Sequence, residues 1–310
     1  MIENFKGKHI LHGNQFTIKD LERVMTTAAE FEKGLTAGRV YDLMKGRILA
    51  TLFFEPSTRT RLSFESAMLR LGGGVISVAS GASASTAKGE SIGDTAQTVS
   101  QYADVIVMRH PRIGSAAEAA RTATVPVINA GDGAGQHPTQ ALLDIYTIEK
   151  EVGKLAGVSI ALLGDLKFGR TVHALVELLS LFKVELMLVS PPQLRMPEEI
   201  VDHLKSRGVA VHQTEDLKAA MAAADVLYAT RIQKERFADT AEYERLKGSY
   251  VIDRALLKQA GDHLVVLHPL PRVDEIATDV DAYRGAAYFR QTLNGVYVRM
   301  ALLALVLGIR

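Results

Sequence analysis

Nine short β-rich runs alternate with helix-period segments along these 310 residues, and that alternation constrains the fold more than any other feature. The runs are 48–54, 75–79, 104–108, 125–129, 158–163, 184–189, 209–212, 226–229 and 264–267. The first, apolar from Ile48 to Phe54, reads as a buried strand. Thr17-Ile18-Lys19-Asp20 reads as a helix start, with Leu21, Val24, Met25 and Ala28 on the buried face. After Arg61, Phe64, Ala67, Met68 and Leu71 fall at i, i+3, i+4 and i+7, one side of a helix. Ser91-Ile92-Gly93-Asp94 reads as a capping box. Further helices are expected near 116–121, 139–151, 171–182, 198–206, 217–223, 234–246 and 292–307. Alternating β and α implies parallel sheets covered on both faces. One nine-stranded sheet is an alternative, but two sheets of four or five suit the length better. The expected class is α/β, with two doubly wound domains. Each has a mainly parallel central sheet flanked by helices, and interdomain helices link the two.

Composition narrows the chemistry. The chain is 47% apolar and 23% charged, ordinary for a globular protein. With 36 basic against 35 acidic residues the net charge is +1, so no broad field recruits nucleic acid or membrane. Any anion site must be local. No cysteine is present, which excludes disulfides, thiolate metal sites and a cysteine nucleophile, and fits a reducing cytoplasm. No apolar run approaches the ~20 residues of a membrane span. The N-terminus lacks the pattern of a secretory signal.

In parallel α/β sheets, ligands sit at the carboxyl ends of the strands. The chemically notable loops all fall there. Glu55-Pro56-Ser57-Thr58-Arg59-Thr60-Arg61 joins the first strand to a helix. Free N–H groups and the positive dipole end of that helix attract an anion. Ser57, Thr58 and Thr60 add O–H donors, and Arg59 adds a planar fork suited to phosphate. Arg109 follows an apolar run; it either binds a second phosphate or carbonyl oxygen, or caps the sheet edge. The loop 131–140 is glycine-rich and places Pro138 at a first helical position. There His137 either donates to a polarised carbonyl or is a buried helix-cap histidine, and Gln140 follows in the first turn. The segment 164–170 lacks G-x-G-x-x-G spacing, which argues against NAD, and Arg170 at its helix start suits a carboxylate. Arg231 and Gln233, two apart in an extended loop, face the same way and suit a second carboxylate. The alternative there is a solvated charge run. His268-Pro269-Leu270-Pro271-Arg272 is stiffened by two prolines and presents carbonyl oxygens, or is a structural turn. Residues 80–88 read as a mobile loop bringing one cation, Lys88. His9 and His12 have no matching carboxylate cluster and read as structural, so no metal site is expected.

Together these loops resemble the aspartate/ornithine carbamoyltransferase family. The resemblance is carried by Ser57-Thr58-Arg59-Thr60-Arg61, His137-Pro138-Thr139-Gln140 and His268-Pro269-Leu270-Pro271-Arg272, in the right order over nearly the whole chain. Thr230-Arg231-Ile232-Gln233 and the stretch 273–279 suit its aspartate-using branch. Ornithine-using members usually carry a cysteine in the loops matching 137–140 and 268–271, and here there is none. The resemblance implies a carbamoyl phosphate domain, residues 1–137 plus a C-terminal helix at 292–310. It also implies an aspartate domain, residues 138–291, with 138–151 as the interdomain helix and the active site between the two. Carried over by residue, Ser57, Thr58, Arg59 and Thr60 bind phosphate, and Arg109 bridges phosphate and carbonyl oxygen. His137 and Thr60 stabilise the carbonyl oxygen. Gln140 and the carbonyls of Pro269 and Leu270 hold the carbamoyl NH₂. Arg170, Arg231 and Gln233 take the aspartate carboxylates.

The resemblance further implies a homotrimer with shared sites, Lys88 entering from the neighbouring copy. A hydroxyl from the same loop is expected beside it: of Ser83, Ser85 and Thr86, Ser85 is favoured. Glu55 is expected to pair with Arg170 or Arg236 across the cleft on domain closure. The implied reaction is carbamoyl transfer to L-aspartate, an early step of pyrimidine synthesis, without metal, cofactor or covalent nucleophile. A regulatory chain or another pathway enzyme stays open as a further partner. Two alternatives stand: a carbamoyltransferase for another amine such as ornithine, and a non-catalytic scaffold homologue. The latter should have lost Arg59, Arg109 or His137, and all three are present.

Overall fold

A computed structural model describes residues 2, 4–79, 89–133, 135–233, 237, 240–261 and 263–310. The chain divides into two compact units, 1–143 with 293–310, and 144–292. All nine expected strands form, and they are shared four and five between two wholly parallel sheets.

In the first unit the strands are β1 (Ile48–Phe53), β2 (Gly74–Val78), β3 (Val105–His110) and β4 (Val127–Asp132), in the order β2-β1-β3-β4. The helices are α1 (Ile18–Thr36), α2 (Thr58–Arg70), α3 (Ile92–Val99) and α4 (Ser115–Thr122). Central strands are mostly apolar because both faces are covered, and β1 and β3 are buried almost throughout. The Thr17 capping box closes on Asp20, and Leu21, Val24, Met25 and Ala28 are buried as their spacing requires. Phe64, Ala67, Met68 and Leu71 are all fully buried.

The second unit holds β5 (Ser159–Leu163), β6 (Glu185–Val189), β7 (Ala210–Thr214), β8 (Val226–Ala229) and β9 (Val265–Leu267), in the order β7-β6-β5-β8-β9. Its helices are α6 (Arg170–Leu179), α7 (Glu198–Ser206), α8 (Leu217–Ala223), α9 (Thr240–Leu246) and α10 (Arg254–Leu257). The helices α5 (Pro138–Val152) and α11 (Tyr288–Val306) each run from one unit into the other. Among the described residues no helix is long and apolar enough to cross a membrane.

Several boundaries depart from the sequence pattern. α2 starts at Thr58 rather than after Arg61, so the hydroxyl cluster lies inside the helix's first turn. β3 and β4 run on through Arg109-His110 and through Asp132, because backbone pairing continues where apolar side chains stop. α11 begins at Tyr288, a turn before 292, with the Gln291 N–H already bonded to the Ala287 carbonyl at 2.7 Å. α10 was not expected; Asp253 caps it by accepting from the Leu256 N–H. The expected helix 234–246 is seen as Thr240–Leu246, and residues 234–236, 238 and 239 lie outside the described residues.

Strand order fixes where a ligand belongs. The chain leaves β1 for β2 on one side and then returns to β3 on the other. In the second unit it leaves β5 for β6 and β7, then returns to β8 on the opposite side. Each reversal opens a crevice at the carboxyl ends, between β1 and β3 and between β5 and β8.

Candidate active site

The β1/β3 crevice carries the hydroxyl turn. Ser57 is the N-cap of α2, yet its side chain accepts no bond from the helix. The helical ladder begins with the Arg61 N–H on the Ser57 carbonyl at 3.3 Å. The N–H groups ahead of it have no carbonyl within the helix to reach. An uncapped helix start with Thr58 and Thr60 in its first turn is a ready anion site.

Arg109 lies beside it. Arg109 pairs in register with Phe53, and the Phe54 N–H donates to the Arg109 carbonyl at 2.8 Å. Its side chain is nearly buried, which removes the reading of a surface Arg capping the sheet. One guanidinium nitrogen is 3.1 Å from Glu55 Oε1, while Nε has no hydrogen-bond partner among the described residues. Glu55 therefore pairs here with an Arg of its own unit, a partner the sequence did not suggest. Opposite Arg109 the β3–β4 register shifts between Met108 and His110. Such irregularities re-aim a side chain.

His137 and Gln140 stand at the start of α5, both buried, with Thr139 between them. The Gln140 N–H donates to the His137 carbonyl at 3.1 Å.

The β5/β8 crevice is wired differently. Gly164 has φ +113°, and a Cβ there would lie 2.2 Å from the Thr230 carbonyl oxygen. Only glycine lets the β5 exit pass the β8 exit so closely. Asp165, fully buried, accepts from the Phe168 N–H at 2.9 Å and from the Gln233 N–H at 3.4 Å. Gln233 Nε2 donates to the Phe168 carbonyl at 3.1 Å. The Arg170 loop and the Arg231-Gln233 loop are thus tied together by one carboxylate and one amide. Burial pushes the Asp165 carboxyl above its ordinary range, with the Phe168 and Gln233 N–H groups opposing. Arg170, Arg231 and Gln233 are all half-buried.

The 268–272 loop is pinned from below. The His268 N–H donates to Gln291 Oε1 at 3.0 Å, and Gln291 Nε2 donates to Asp144 Oδ1 at 2.6 Å. Tyr228 OH donates to Asp144 Oδ2 at 2.8 Å. His268 Nδ1 accepts from the Leu270 N–H at 2.8 Å, which places the ring proton on Nε2, 2.7 Å from Glu275 Oε1. Burial would raise the Glu275 carboxyl, but His268 and the Val273 N–H hold it below its ordinary range. Leu270 sits at φ +55°, a region non-glycine residues rarely adopt, and with Pro269 it stays partly exposed.

Lys88, Ser85 with its alternatives Ser83 and Thr86, and Arg236 lie outside the described residues. His9 is structural: its Nδ1 accepts from the Val127 N–H at 3.0 Å. Among the described residues no group of three or more His, Asp or Glu could hold a metal ion. Sequence reasoning missed the buried acids Asp132, Asp144 and Asp165 and the acceptor Glu275. The only available signal was aspartate beside glycine in Gly131-Asp132-Gly133 and Gly164-Asp165, where a side chain can turn back on its own backbone.

The carbamoyl-P binding domain of the aspartate/ornithine carbamoyltransferase family matches residues 8–150, and the Asp/Orn binding domain of that family matches residues 156–306. The chain belongs to the aspartate/ornithine carbamoyltransferase family. Among carbamoyltransferases of this family, the aspartate carbamoyltransferase catalytic subunit of Thermococcus kodakarensis is 56% identical over 306 residues, covering 99% of each chain. The crystal structure of aspartate transcarbamoylase from Trypanosoma cruzi, in complex with carbamoyl phosphate and aspartate, superposes with a TM-score of 0.93. That chain is 45% identical, with 98% of each chain covered. The catalytic subunit of Methanocaldococcus jannaschii aspartate transcarbamoylase gives a TM-score of 0.90 at 50% identity, covering 96% of each chain.

Proposed function

We propose that this chain transfers the carbamoyl group of carbamoyl phosphate to the α-amine of L-aspartate, giving N-carbamoyl-L-aspartate and phosphate. The observation that carries the reading is the division of donors between the two crevices. An uncapped helix start with hydroxyls and a nearly buried Arg lies at one, and a carboxylate-tied Arg/Gln loop pair lies at the other.

The amine nitrogen attacks the carbonyl carbon and the bond from that carbon to the phosphate oxygen breaks. Phosphate leaves and accepts the amine proton. Negative charge grows first on the carbonyl oxygen and then on the leaving phosphate. Ser57, Thr58, Arg59 and Thr60 bind the phosphate, and Arg109 reaches phosphate and carbonyl oxygen. His137 and Thr60 stabilise the carbonyl oxygen, and Gln140 holds the NH₂. Arg170, Arg231 and Gln233 hold the aspartate carboxylates. Fixed donors aimed at charge that develops in the transition state accelerate the step; each is worth about 10²–10³-fold. The same reading includes a homotrimer in the cytoplasm, with Lys88 serving a neighbouring copy.

The test is a product assay with carbamoyl phosphate and either L-aspartate or L-ornithine. Carbamoyl-aspartate with matching phosphate release is expected. Product with ornithine alone, or with neither acceptor, contradicts the reading.

A further inference from the structure

The loop that delivers His137 is built around a buried carboxylate that the proposed chemistry does not use. Asp132 ends β4 and is 3% exposed. Its Oδ1 accepts from the Gln136 N–H at 2.7 Å and from Asn129 Nδ2 at 3.3 Å. Its Oδ2 accepts from the Gly114 N–H at 2.8 Å. Its backbone closes the same loop, the carbonyl accepting from the Gly135 N–H at 2.8 Å. Glycines leave room for these bonds. A Cβ at Gly135 would lie 2.8 Å from Asp132 Oδ1, and one at Gly133, φ +54°, would lie 2.2 Å from the Pro111 carbonyl oxygen.

A side chain that only shaped a turn would need one of these donors. This one takes three, from three separate places: the residue before His137, β4 itself, and the N-cap of α4. Among the described residues no cation pairs with it. Gly114 belongs to the loop that follows Arg109-His110, and the Gly133 N–H donates to the His110 carbonyl at 2.8 Å. One carboxylate therefore clamps the exits of β3 and β4 together.

We propose that Asp132 is a positioning residue for His137, fixing the backbone from which the imidazole projects and locking it to the strand end that carries Arg109. The proposal rests on the carbamoyl-transfer reading only through the role given to His137.

Asp132→Asn keeps the shape but turns one acceptor into a donor that faces another N–H. Two readouts decide the matter: histidine-labelled NMR, and kcat measured in the wild-type and His137→Ala backgrounds. The His137 resonances are expected to shift while those of His9 and His173 stay. In the wild-type background kcat falls about 10–10²-fold, the scale of a ~1 Å misplacement. The aspartate KM and the phosphate affinity stay within about twofold, and in the His137→Ala background the same change costs less than about twofold. Unmoved His137 resonances, or equal losses of kcat in both backgrounds, overturn the proposal. Should Asp132→Asn fail to fold, Gly135→Ala displaces the same carboxylate and is held to the same outcomes. A wild-type chain with no carbamoyl transfer would sink the functional reading, and the NMR readout would still decide for or against Asp132.

Discussion

In the first unit the hydroxyl turn is contiguous: Ser57 to Thr60 are consecutive, the helix supplies the N–H groups, and Arg109 comes from the adjacent strand. In the second unit, Arg170, Arg231 and Gln233 come from loops some sixty residues apart, tied by Asp165 and by Gln233 itself. The two sheets otherwise share devices. Asp104 accepts from the Ile48 N–H at 2.8 Å and Asp225 from the Ser159 N–H at 2.9 Å, each closing the start of its central strand. Similar scaffolds therefore carry two kinds of site. The hydroxyl turn is preformed by backbone direction, whereas the Arg170 and Arg231-Gln233 loops are assembled around a buried acid. The Ser57–Thr60 turn should be robust to distant change and sensitive at its donors; the carboxylate loops, like the His137 loop held by Asp132, should be sensitive at residues that never touch a ligand.

The largest expected effect breaks the first site at a donor. Arg109→Ala should lower kcat/KM at least about 10²-fold, as loss of a preorganised donor does, with the unfolding midpoint little changed. Stopped-assay kinetics check it, and a loss under threefold would remove Arg109 from the chemistry. Next comes the second site. Asp165→Ala leaves the Phe168 and Gln233 N–H groups without their acceptor, and should raise the aspartate KM about 10–10²-fold with carbamoyl phosphate affinity unchanged. Equal weakening of both substrates would mean that Asp165 supports the fold at large rather than the carboxylate loops.

The smallest effect is a pH slope. Burial holds His173 below its ordinary 6.5, opposed by its bond to the Leu166 carbonyl at 2.8 Å and by Asp165 and Glu199 nearby. The unfolded chain then binds the proton first. Stability from this group is complete above about 6.5 and drains away as pH falls toward the folded value. The urea midpoint should therefore drop between about pH 7.5 and about pH 5.5, and His173→Gln should flatten part of that drop. His9 and His110, lowered mainly by burial in the first unit, keep the remainder. An unchanged slope would show that the second unit carries no such charge-burial cost.

This contrast also explains what could be read from sequence. Strand positions were legible because Ile, Val and Leu cluster wherever a parallel sheet is covered twice. The strand ends were not, since Arg109, His110 and Asp132 are polar while their backbones stay paired. The turn from Ser57 to Arg61 announced itself because its donors are neighbours in the chain. Asp165, in a loop, and Asp144, inside α5, did not: an acid reads as solvated until the N–H groups that replace its water, from Gln233 or Gln291, are brought alongside. Glu55 gave no sign in the sequence of its bond to Arg109, which the register of β1 with β3 brings alongside.

The division of labour that matters most is phosphate held by the first unit and carboxylates by the second. Calorimetric titration of carbamoyl phosphate into Arg59→Ala and Arg231→Ala proteins tests that most directly. The prediction is about 10–10²-fold weaker binding for Arg59→Ala, the worth of a charge-assisted bidentate contact, and wild-type affinity for Arg231→Ala. Wild-type affinity in the Arg59 variant, or matching losses in both, would contradict the division of labour between the two sheets.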